Sequence, residues 1–181
     1  MVKKDKKGLV IVFTGDGKGK TTSALGMALR ASGQGKKVLI IQFIKNYKNY
    51  GELKFVEKFP QANIEIKTFG EGYVGIRGDK KPREVHSQAA QRALACAKEV
   101  VKSRKYFLII LDEINIALNL KLLKVEDVLK LIKSKLGNLH LVLTGRGAPK
   151  KVVQAAELAT EMKEIKHPYR KGILAQKGIE F

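Results

Sequence analysis

A continuous apolar run at residues 9–13 leads directly into a glycine-rich turn, and the turn leads directly into a helical pattern. The run, LVIVF, contains no polar side chain, which is typical of a strand buried on both faces of a parallel sheet. Residues 21–32 then place apolar side chains at helical spacing, and the pattern stops at Gly33. This order of strand, glycine turn and helix predicts the first β–α unit of a parallel sheet.

The turn itself, TGDGKGKT at residues 14–21, predicts a phosphate-binding loop. It departs from the usual G-x-x-x-x-G-K-[ST] pattern because Thr14 takes the first glycine position and Gly15 follows one residue later. Glycines leave the backbone amides open to wrap an anion, and the helix that begins here presents its positive end. Lys20 would add a point charge, and Thr21 a hydroxyl group for Mg²⁺. The residues predicted to bind a nucleoside triphosphate are Gly15, Asp16, Gly17, Lys18, Gly19, Lys20, Thr21 and Thr22.

Strand and helix patterns alternate along the rest of the chain without an internal repeat or a linker. Further strands are predicted at residues 38–44, 64–69, 106–111, 140–144 and 162–166, and further helices near Leu53 and at residues 82–104, 125–136 and 150–158. Residues 173–181 form a short apolar segment that we expect to pair at a sheet edge. The chain is therefore predicted to be one P-loop nucleotide-binding domain over residues 1–181. Its predicted fold is the α/β, RecA-like P-loop NTPase fold, with a mostly parallel central sheet and helices on both faces.

Two adjacent carboxylates, Asp112 and Glu113, follow the apolar run at residues 107–111. A strand of this kind delivers them to the carboxyl edge of the sheet, where the ligands of open α/β folds bind. One of them would help to hold Mg²⁺, or alternatively Mn²⁺, directly or through water. The predicted metal ligands are Thr21, Asp112 and Glu113. The predicted catalytic residues are Lys20, Thr21 and Glu113.

Three basic side chains are further candidates for contact with the nucleotide. Arg146 lies between two glycines after the strand at residues 140–144, where it would clamp phosphate oxygens. Arg30 lies on the first helix, and Lys18 lies inside the phosphate loop. Each of the three has the alternative of being an ordinary exposed residue.

Basic residues outnumber acidic ones so strongly that the formal net charge is +19. Nucleic acid, an acidic protein, polyphosphate or simply a lysine-rich solvated surface would each account for this charge. The sequence has no zinc-finger, helix-turn-helix or aromatic-interleaved basic pattern, so nucleic acid is not the expected partner. The single cysteine, Cys96, excludes an internal disulfide and fits the reducing cytoplasm. The apolar runs are too short to cross a membrane, so no membrane association is expected.

These residues predict the binding of a magnesium nucleoside triphosphate and leave the reaction open. Glu113 beside Asp112 would also position water in an ordinary ATPase, so a P-loop ATPase or kinase acting on another substrate is an alternative. A non-catalytic nucleic-acid-binding protein is a third class, motivated only by the net charge.

The sequence resembles the ATP:corrinoid adenosyltransferases, which make the upper ligand of coenzyme B12. The resemblance includes the shifted glycine of the phosphate loop and covers nearly the whole chain in the same order. It is carried by residues 12–22, 38–45, 111–113, 144–147, 165–168 and 175–181.

The resemblance implies a reaction in which the cobalt of a cob(I)alamin-like corrinoid attacks the 5′ carbon of ATP. The products would be adenosylcobalamin and inorganic triphosphate. The triphosphate would lie in the loop in reversed polarity, with Arg30 and Arg146 helping Lys20 to stabilise its charge. The resemblance also implies a reduced flavodoxin-like electron donor, and we expect a homodimer.

A glycine-rich loop at residues 70–78 has four glycines in nine residues, so we expect it to be mobile and functional. In members of the family that the chain resembles, bulky aromatic side chains of this loop push the lower axial ligand off cobalt. Tyr73 matches one such position and is predicted to contact the corrinoid, whereas Glu71 stands at the other. Displacement of the lower ligand is therefore either absent here or left to Phe69 or Tyr73.

Overall fold

The structure is a computed structural model that describes residues 7–46, 49–76 and 78–181. Six strands form its central sheet: β1 Val10–Thr14, β2 Val38–Gln42, β3 Ile64–Thr68, β4 Leu108–Asp112, β5 His140–Thr144 and β6 Leu158–Glu161. Their order across the sheet is β3-β2-β4-β5-β1-β6, and every neighbouring pair is parallel. Because the strands are parallel, their carboxyl ends share one edge, where the loops after β4, β5 and β1 are neighbours.

Within the described residues, six α-helices accompany the sheet: α1 Lys20–Gly33, α2 Gly51–Lys58, α3 Arg83–Val100, α4 Ile114–Asn119, α5 Val125–Ser134 and α6 Lys150–Gln154. Short 3₁₀ turns occur at Pro60–Ala62 and Pro168–Lys171. No helix in the described ranges has the length and apolar character needed to span a membrane.

Both faces of the sheet are buried, which is why its central strands contain almost no polar residues. Leu39 and Ile41 of β2 pack in a core that includes α3 and α5, whereas Val38 and Ile40 pack in a second core with α1. The side chains of a strand alternate between its two faces, so each of the central strands β1, β2, β4 and β5 contributes to both cores. The predicted α/β fold with helices on both faces is confirmed.

The last strand of the sheet is not where the sequence predicts it. Residues 162–166 do not form it, and β6 instead covers Leu158–Glu161 and pairs with β1. The predicted helix at residues 150–158 is correspondingly too long, because α6 ends at Gln154. All four residues of β6 are exposed, so this edge strand lacks the apolar run that marks the central strands.

Two further features differ from the predictions. The helix α4, which directly follows the carboxylate pair, has no counterpart among the predicted helices. Residues 173–181 form no strand, and they instead bring Glu180 to the phosphate loop, 3.0 Å from the ammonium group of Lys18. Apolar residues of this tail, including Ile173, Leu174 and Ile179, are exposed. Their pattern therefore does not reflect pairing at the sheet edge.

Candidate active site

Three chain segments meet at the carboxyl edge of the sheet around Asp112, the last residue of β4. The Asp112 carboxylate is fully buried, and its Oδ1 atom accepts hydrogen bonds from the hydroxyl groups of Thr21 at 2.7 Å and Thr144 at 2.8 Å. The Thr144 hydroxyl in turn accepts a hydrogen bond from the backbone N–H of Glu113 at 2.9 Å. One carboxylate oxygen thereby holds the start of α1 and the ends of β4 and β5 together.

The phosphate loop needs its glycines for two reasons. Gly15 and Gly19 have φ angles of 92° and 109°, a region that side chains disfavour. In addition, a Cβ atom on Gly15 would lie 2.5 Å from the carbonyl oxygen of Met162, and one on Gly17 would lie 2.7 Å from that of Lys163. The segment after β6 therefore packs directly on the loop. Its Met162 carbonyl group accepts a hydrogen bond of 2.7 Å from the Gly17 N–H.

Lys20 turns its ammonium group back into the phosphate loop. Its Nζ atom donates hydrogen bonds to the carbonyl groups of Gly15 at 2.6 Å and Gly17 at 2.5 Å. Burial and then repulsion by Arg146 lower the pKa of Lys20, while Asp16 and Glu113 oppose that shift. Arg146, in the loop after β5, is thus close enough to repel the Lys20 ammonium group.

Glu113 lies beside Asp112 in an unfavourable conformation and environment. Its φ angle of 65° is unusual for a residue other than glycine, and α4 begins directly after it. Burial and repulsion by Asp112 raise the pKa of Glu113 well above its usual range, against the attraction of Lys45 and Lys20. Strained backbone and a perturbed carboxyl group in one residue are typical of functional sites.

Lys45 and Glu52 join this cluster, although the sequence analysis did not select them. The Lys45 Nζ atom lies 3.1 Å from Asp112 Oδ2 and 3.0 Å from Glu52 Oε1, and it stands 4.8 Å from the ring centre of Tyr50. Gln42 donates a hydrogen bond to the same Glu52 oxygen at 3.3 Å. The available signal was a lysine directly after the apolar run of β2, at the edge where ligands bind.

A family model described as ATP:corrinoid adenosyltransferase BtuR/CobO/CobP matches residues 6–181. The chain belongs to this family. Curated relatives named corrinoid adenosyltransferase include a Sinorhizobium protein, 41% identical over 180 residues and covering 99% of this chain and 83% of that protein. The Pseudomonas aeruginosa relative is 38% identical over 178 residues, covering 98% and 86%, and the Escherichia coli K12 relative is 32% identical over 177 residues, covering 98% and 87%.

Solved structures that resemble the chain confirm its RecA-like fold. A KaiC-like protein from Pyrococcus horikoshii OT3 superposes with a TM-score of 0.55 at 18% identity, covering 88% of this chain and 75% of that one. The RadB recombinase also superposes with a TM-score of 0.55, at 16% identity, covering 90% and 77%. At such low identity the likeness concerns the fold alone. The family establishes the activity: this adenosyltransferase transfers the adenosyl group of ATP to a corrinoid.

The other residues of the adenosyltransferase that are predicted to contact the nucleotide lie at different distances from the phosphate loop. Asp16, Thr22 and Arg146 are exposed at the mouth of the site, and Lys18 is paired with Glu180. Arg30 lies in the last turn of α1, ten residues after Lys20. At 1.5 Å per residue this separation is about 15 Å along the helix axis. The structure therefore does not bring Arg30 to the phosphate loop of the same chain.

The glycine-rich loop is attached to the site through the segment after β2; the structure describes all of it except Arg77. The Gly72 N–H donates to the Ile44 carbonyl at 2.9 Å, and the Asn46 amide donates to the Glu71 carbonyl at 2.9 Å. The Glu71 carboxylate forms an ion pair of 2.5 Å with Lys81. Glu71, which stands where the family resemblance suggests an aromatic side chain, is therefore held by Lys81.

The second half of this loop is fastened by a buried pair. Asp79 accepts hydrogen bonds from the Gly75 N–H at 2.9 Å and the Lys81 N–H at 3.1 Å, and it contacts the buried His86 at 2.9 Å. Tyr73 is 39% exposed between these two attachments. Burial raises the pKa of Tyr50, whose ring lies beside Lys45, to about 12.

The residues at the edge of the sheet fit a hard divalent cation. A hydroxyl group and carboxylates are the oxygen ligands that Mg²⁺ prefers, and Mg²⁺ commonly takes only one or two carboxylates beside substrate phosphates. Asp112 Oδ2 is buried and has no hydrogen-bond partner among the described residues, and Lys45 is the cation that faces it. This oxygen is a suitable ligand for a cation or for a water molecule bound to one.

Proposed function

We propose that the triphosphate of ATP lies in the phosphate loop in reversed polarity and leaves the 5′ carbon of the ribose exposed to the corrinoid. The reversed polarity is suggested by the family resemblance. The observation that supports a triphosphate at this place is the hydrogen bond of 2.7 Å between Thr21 and Asp112, which joins the phosphate loop to the carboxylate edge. Cob(I)alamin-like cobalt would donate its electron pair to the 5′ carbon while the carbon–oxygen bond to the triphosphate breaks. Adenosylcobalamin and inorganic triphosphate would be formed together.

The chain's own groups would act on the leaving triphosphate. Negative charge develops on its bridging oxygen as the bond to carbon breaks, and donors already aimed at that place stabilise it most effectively. The loop amides, Lys20 and Arg146 are the donors that we expect to act there. Lys20, which now bonds to two loop carbonyl groups, would turn from these to the phosphate oxygens.

A divalent cation, Mg²⁺ or Mn²⁺, would be held by Thr21, Asp112 and Glu113. When bound, it would neutralise part of the charge on the triphosphate. The Thr144 hydroxyl keeps Asp112 Oδ1 directed towards Thr21, because it donates to the same oxygen. The donor set supports this assignment, as does the buried Asp112 Oδ2, which accepts no hydrogen bond from the described residues.

Partners and location follow from the family and the surface charge. We propose a homodimer in the cytoplasm that receives electrons from a reduced flavodoxin-like protein. The net charge of +19 supports an acidic partner of this kind. The contact of Arg30 with a triphosphate remains a prediction from the family resemblance.

The decisive experiment is to incubate the protein with Mg²⁺-ATP and a chemically reduced corrinoid and to identify the phosphate product. We expect inorganic triphosphate in equal amount to the adenosylated corrinoid, and none without corrinoid. Orthophosphate released at the same rate with and without corrinoid would instead indicate an ATPase and contradict the proposed arrangement.

A further inference from the structure

Lys45 is the most enclosed cation of the active site. It follows β2, and only 13% of its side chain is exposed. Its ammonium group bridges Asp112 Oδ2 at 3.1 Å and Glu52 Oε1 at 3.0 Å, with the ring of Tyr50 beside it at 4.8 Å. The two carboxylates attract this ammonium group and offset the cost of burying it. Lys45 is therefore a fixed positive charge.

The two oxygens of Asp112 have different surroundings. Oδ1 accepts both threonine hydroxyl groups, from Thr21 and Thr144, and is thereby engaged. Oδ2 accepts no hydrogen bond from the described residues and faces the Lys45 ammonium group. The oxygen left for a metal ion, or for a water molecule on that ion, is thus the one at which Lys45 stands.

We propose that Lys45 is a positioning residue that holds the place of the divalent cation in the nucleotide-free enzyme and gives way when the metal and ATP bind together. This inference rests on the proposed metal site. The exchange conserves charge, because one cation leaves Asp112 Oδ2 as another arrives. Lys45 keeps a partner throughout, since Glu52 remains within 3.0 Å and Gln42 holds that carboxylate in place.

Lys45 should influence whether the metal ion binds before ATP or together with it. Asp112 and Glu52 place two carboxylates within 3.1 Å of one ammonium group, and Glu113 follows Asp112 in the chain. Without Lys45 this acidic site would attract a divalent cation on its own. With Lys45 in place, a metal ion alone must displace a cation, whereas the metal bound to ATP also gains the contacts of the phosphate loop. Lys45 thus makes metal binding depend on the nucleotide.

The test measures Mn²⁺ binding to the full chain without nucleotide, by electron paramagnetic resonance. Two charges a few ångströms apart repel by about 1 kcal/mol or more, even in a watery environment. We therefore expect Lys45→Met to bind Mn²⁺ at least about fivefold more tightly than the wild type. Lys45→Arg keeps the charge and should bind as the wild type does. The gain should disappear in the double variant Lys45→Met, Asp112→Asn.

Lys37→Met is the matched control. Lys37 precedes the same strand at its other end, pairs with Glu65 at 2.7 Å and stands 5.5 Å from the ring centre of Tyr106. It thus repeats the contacts of Lys45 away from the carboxylate edge, and its substitution should leave Mn²⁺ affinity unchanged. Lys45→Gln, which retains a hydrogen-bond donor for Glu52, gives the same test if the Met variant does not fold.

Two outcomes separate this inference from the site on which it rests. In the first, Asp112→Asn weakens the binding of Mn²⁺-ATP, but Lys45→Met and Lys45→Gln bind Mn²⁺ alone no more tightly than the wild type does. The metal site then stands, and the place-holding role of Lys45 is wrong. If Asp112→Asn binds Mn²⁺-ATP as tightly as the wild type, the proposed metal site itself is wrong.

Discussion

Lys20 has one set of partners in the structure and a second set in the proposed complex with ATP. In the structure its ammonium group closes the phosphate loop by bonding to the Gly15 and Gly17 carbonyl groups. These carbonyl partners preserve the shape of the loop before a nucleotide arrives. The same ammonium group is the one that we expect to contact the triphosphate, so its removal should affect ligand binding before it affects the fold.

Substituting Lys20→Ala should weaken ATP binding. The lost contact is a hydrogen bond to a charged group, worth roughly 1.5–3 kcal/mol, which corresponds to an increase in Kd of about ten- to 150-fold. Isothermal titration calorimetry measures this change directly, with Lys37→Ala as a control lysine outside the site. Unchanged ATP affinity in the Lys20 variant would remove Lys20 from the proposed triphosphate site.

Substituting Glu113→Gln should lower turnover with Mg²⁺ because a neutral amide is a weaker ligand for a hard cation than a carboxylate is. The substitution should not destabilise the folded state. Burial and Asp112 raise the pKa of Glu113, so the folded state binds a proton more readily than the unfolded state does. The wild type therefore loses stability as the pH rises above the usual range of a glutamate, and the variant does not.

Thermal unfolding between pH 5 and pH 8 checks the second part of this prediction. The unfolding midpoint of Glu113→Gln should rise relative to the wild type as the pH increases. If the variant is less stable than the wild type at pH 8, burial does not raise the pKa of Glu113. If its turnover and Mg²⁺ dependence match those of the wild type, Glu113 is not near the metal.

At the scale of elements, the glycine-rich loop connects β3 to α3 and carries Tyr73 as a partly exposed ring. Its attachments, from Gly72 to Ile44 and from Asp79 to His86, lie on either side of Tyr73. Such a connection can carry an aromatic ring towards a corrinoid while its two ends stay in place. An apolar ring against the lower face of the corrinoid would disfavour the ligated form of Co(II) and ease its reduction.

The Tyr73→Ala variant should therefore lose adenosylation activity when a weak biological reductant must generate Co(I). The loss should be much smaller when a strong chemical reductant supplies Co(I) directly. Ile76→Ala is the matched control, because Ile76 is an exposed apolar residue of the same loop, 58% accessible to solvent. Equal activity of Tyr73→Ala and the wild type with the weak reductant would exclude a role for Tyr73 in cobalt reduction.

At the scale of the whole molecule, the tail that follows β6 returns to the phosphate loop. The Glu180 carboxylate uses both oxygens there: one accepts a hydrogen bond from the Gln176 N–H at 2.6 Å, and the other pairs with Lys18 at 3.0 Å. The backbone of Phe181 reaches the vicinity of Gly51, at the start of α2. The tail thus lies beside the nucleotide site.

Substituting Glu180→Gln should loosen this tail, because an amide side chain replaces a charged partner of Lys18. Hydrogen exchange measured by mass spectrometry should become faster in residues 176–181. Glu164→Gln is the control, since Glu164 forms a comparable ion pair of 2.7 Å with Arg170. Exchange in residues 176–181 that is the same in Glu180→Gln and the wild type would show that the Lys18 contact does not hold the tail.

The surface charge leads to a prediction about the electron donor. If an acidic donor docks through charge attraction, raising the salt concentration should slow reduction, because charges farther apart than about 8 Å are screened at physiological salt. Stopped-flow measurements of cobalt reduction at several NaCl concentrations give the dependence. Reduction by a small chemical reductant provides the baseline, and a donor-driven rate that does not fall with salt would argue against electrostatic docking.

Local patterns in the sequence were sufficient for the phosphate loop, most of the strands and the carboxylate pair. A central strand buried on both faces must be apolar along its length, as in Leu108–Asp112 up to its last residue, so its sequence identifies it without knowledge of its neighbours. A parallel sheet then places the ends of such strands at one edge. That rule is enough to predict Thr21 beside Asp112, which the structure places 2.7 Å apart.

The tertiary structure alone decided which loops meet. The edge strand β6 is exposed on all its residues, so no apolar run marks it, and its position follows from pairing with β1. The contacts of Lys45 with Asp112 and of Lys18 with Glu180 join segments that are distant in the chain. A charged side chain carries no local sign of its partner, because the partner is set by the path of the whole chain.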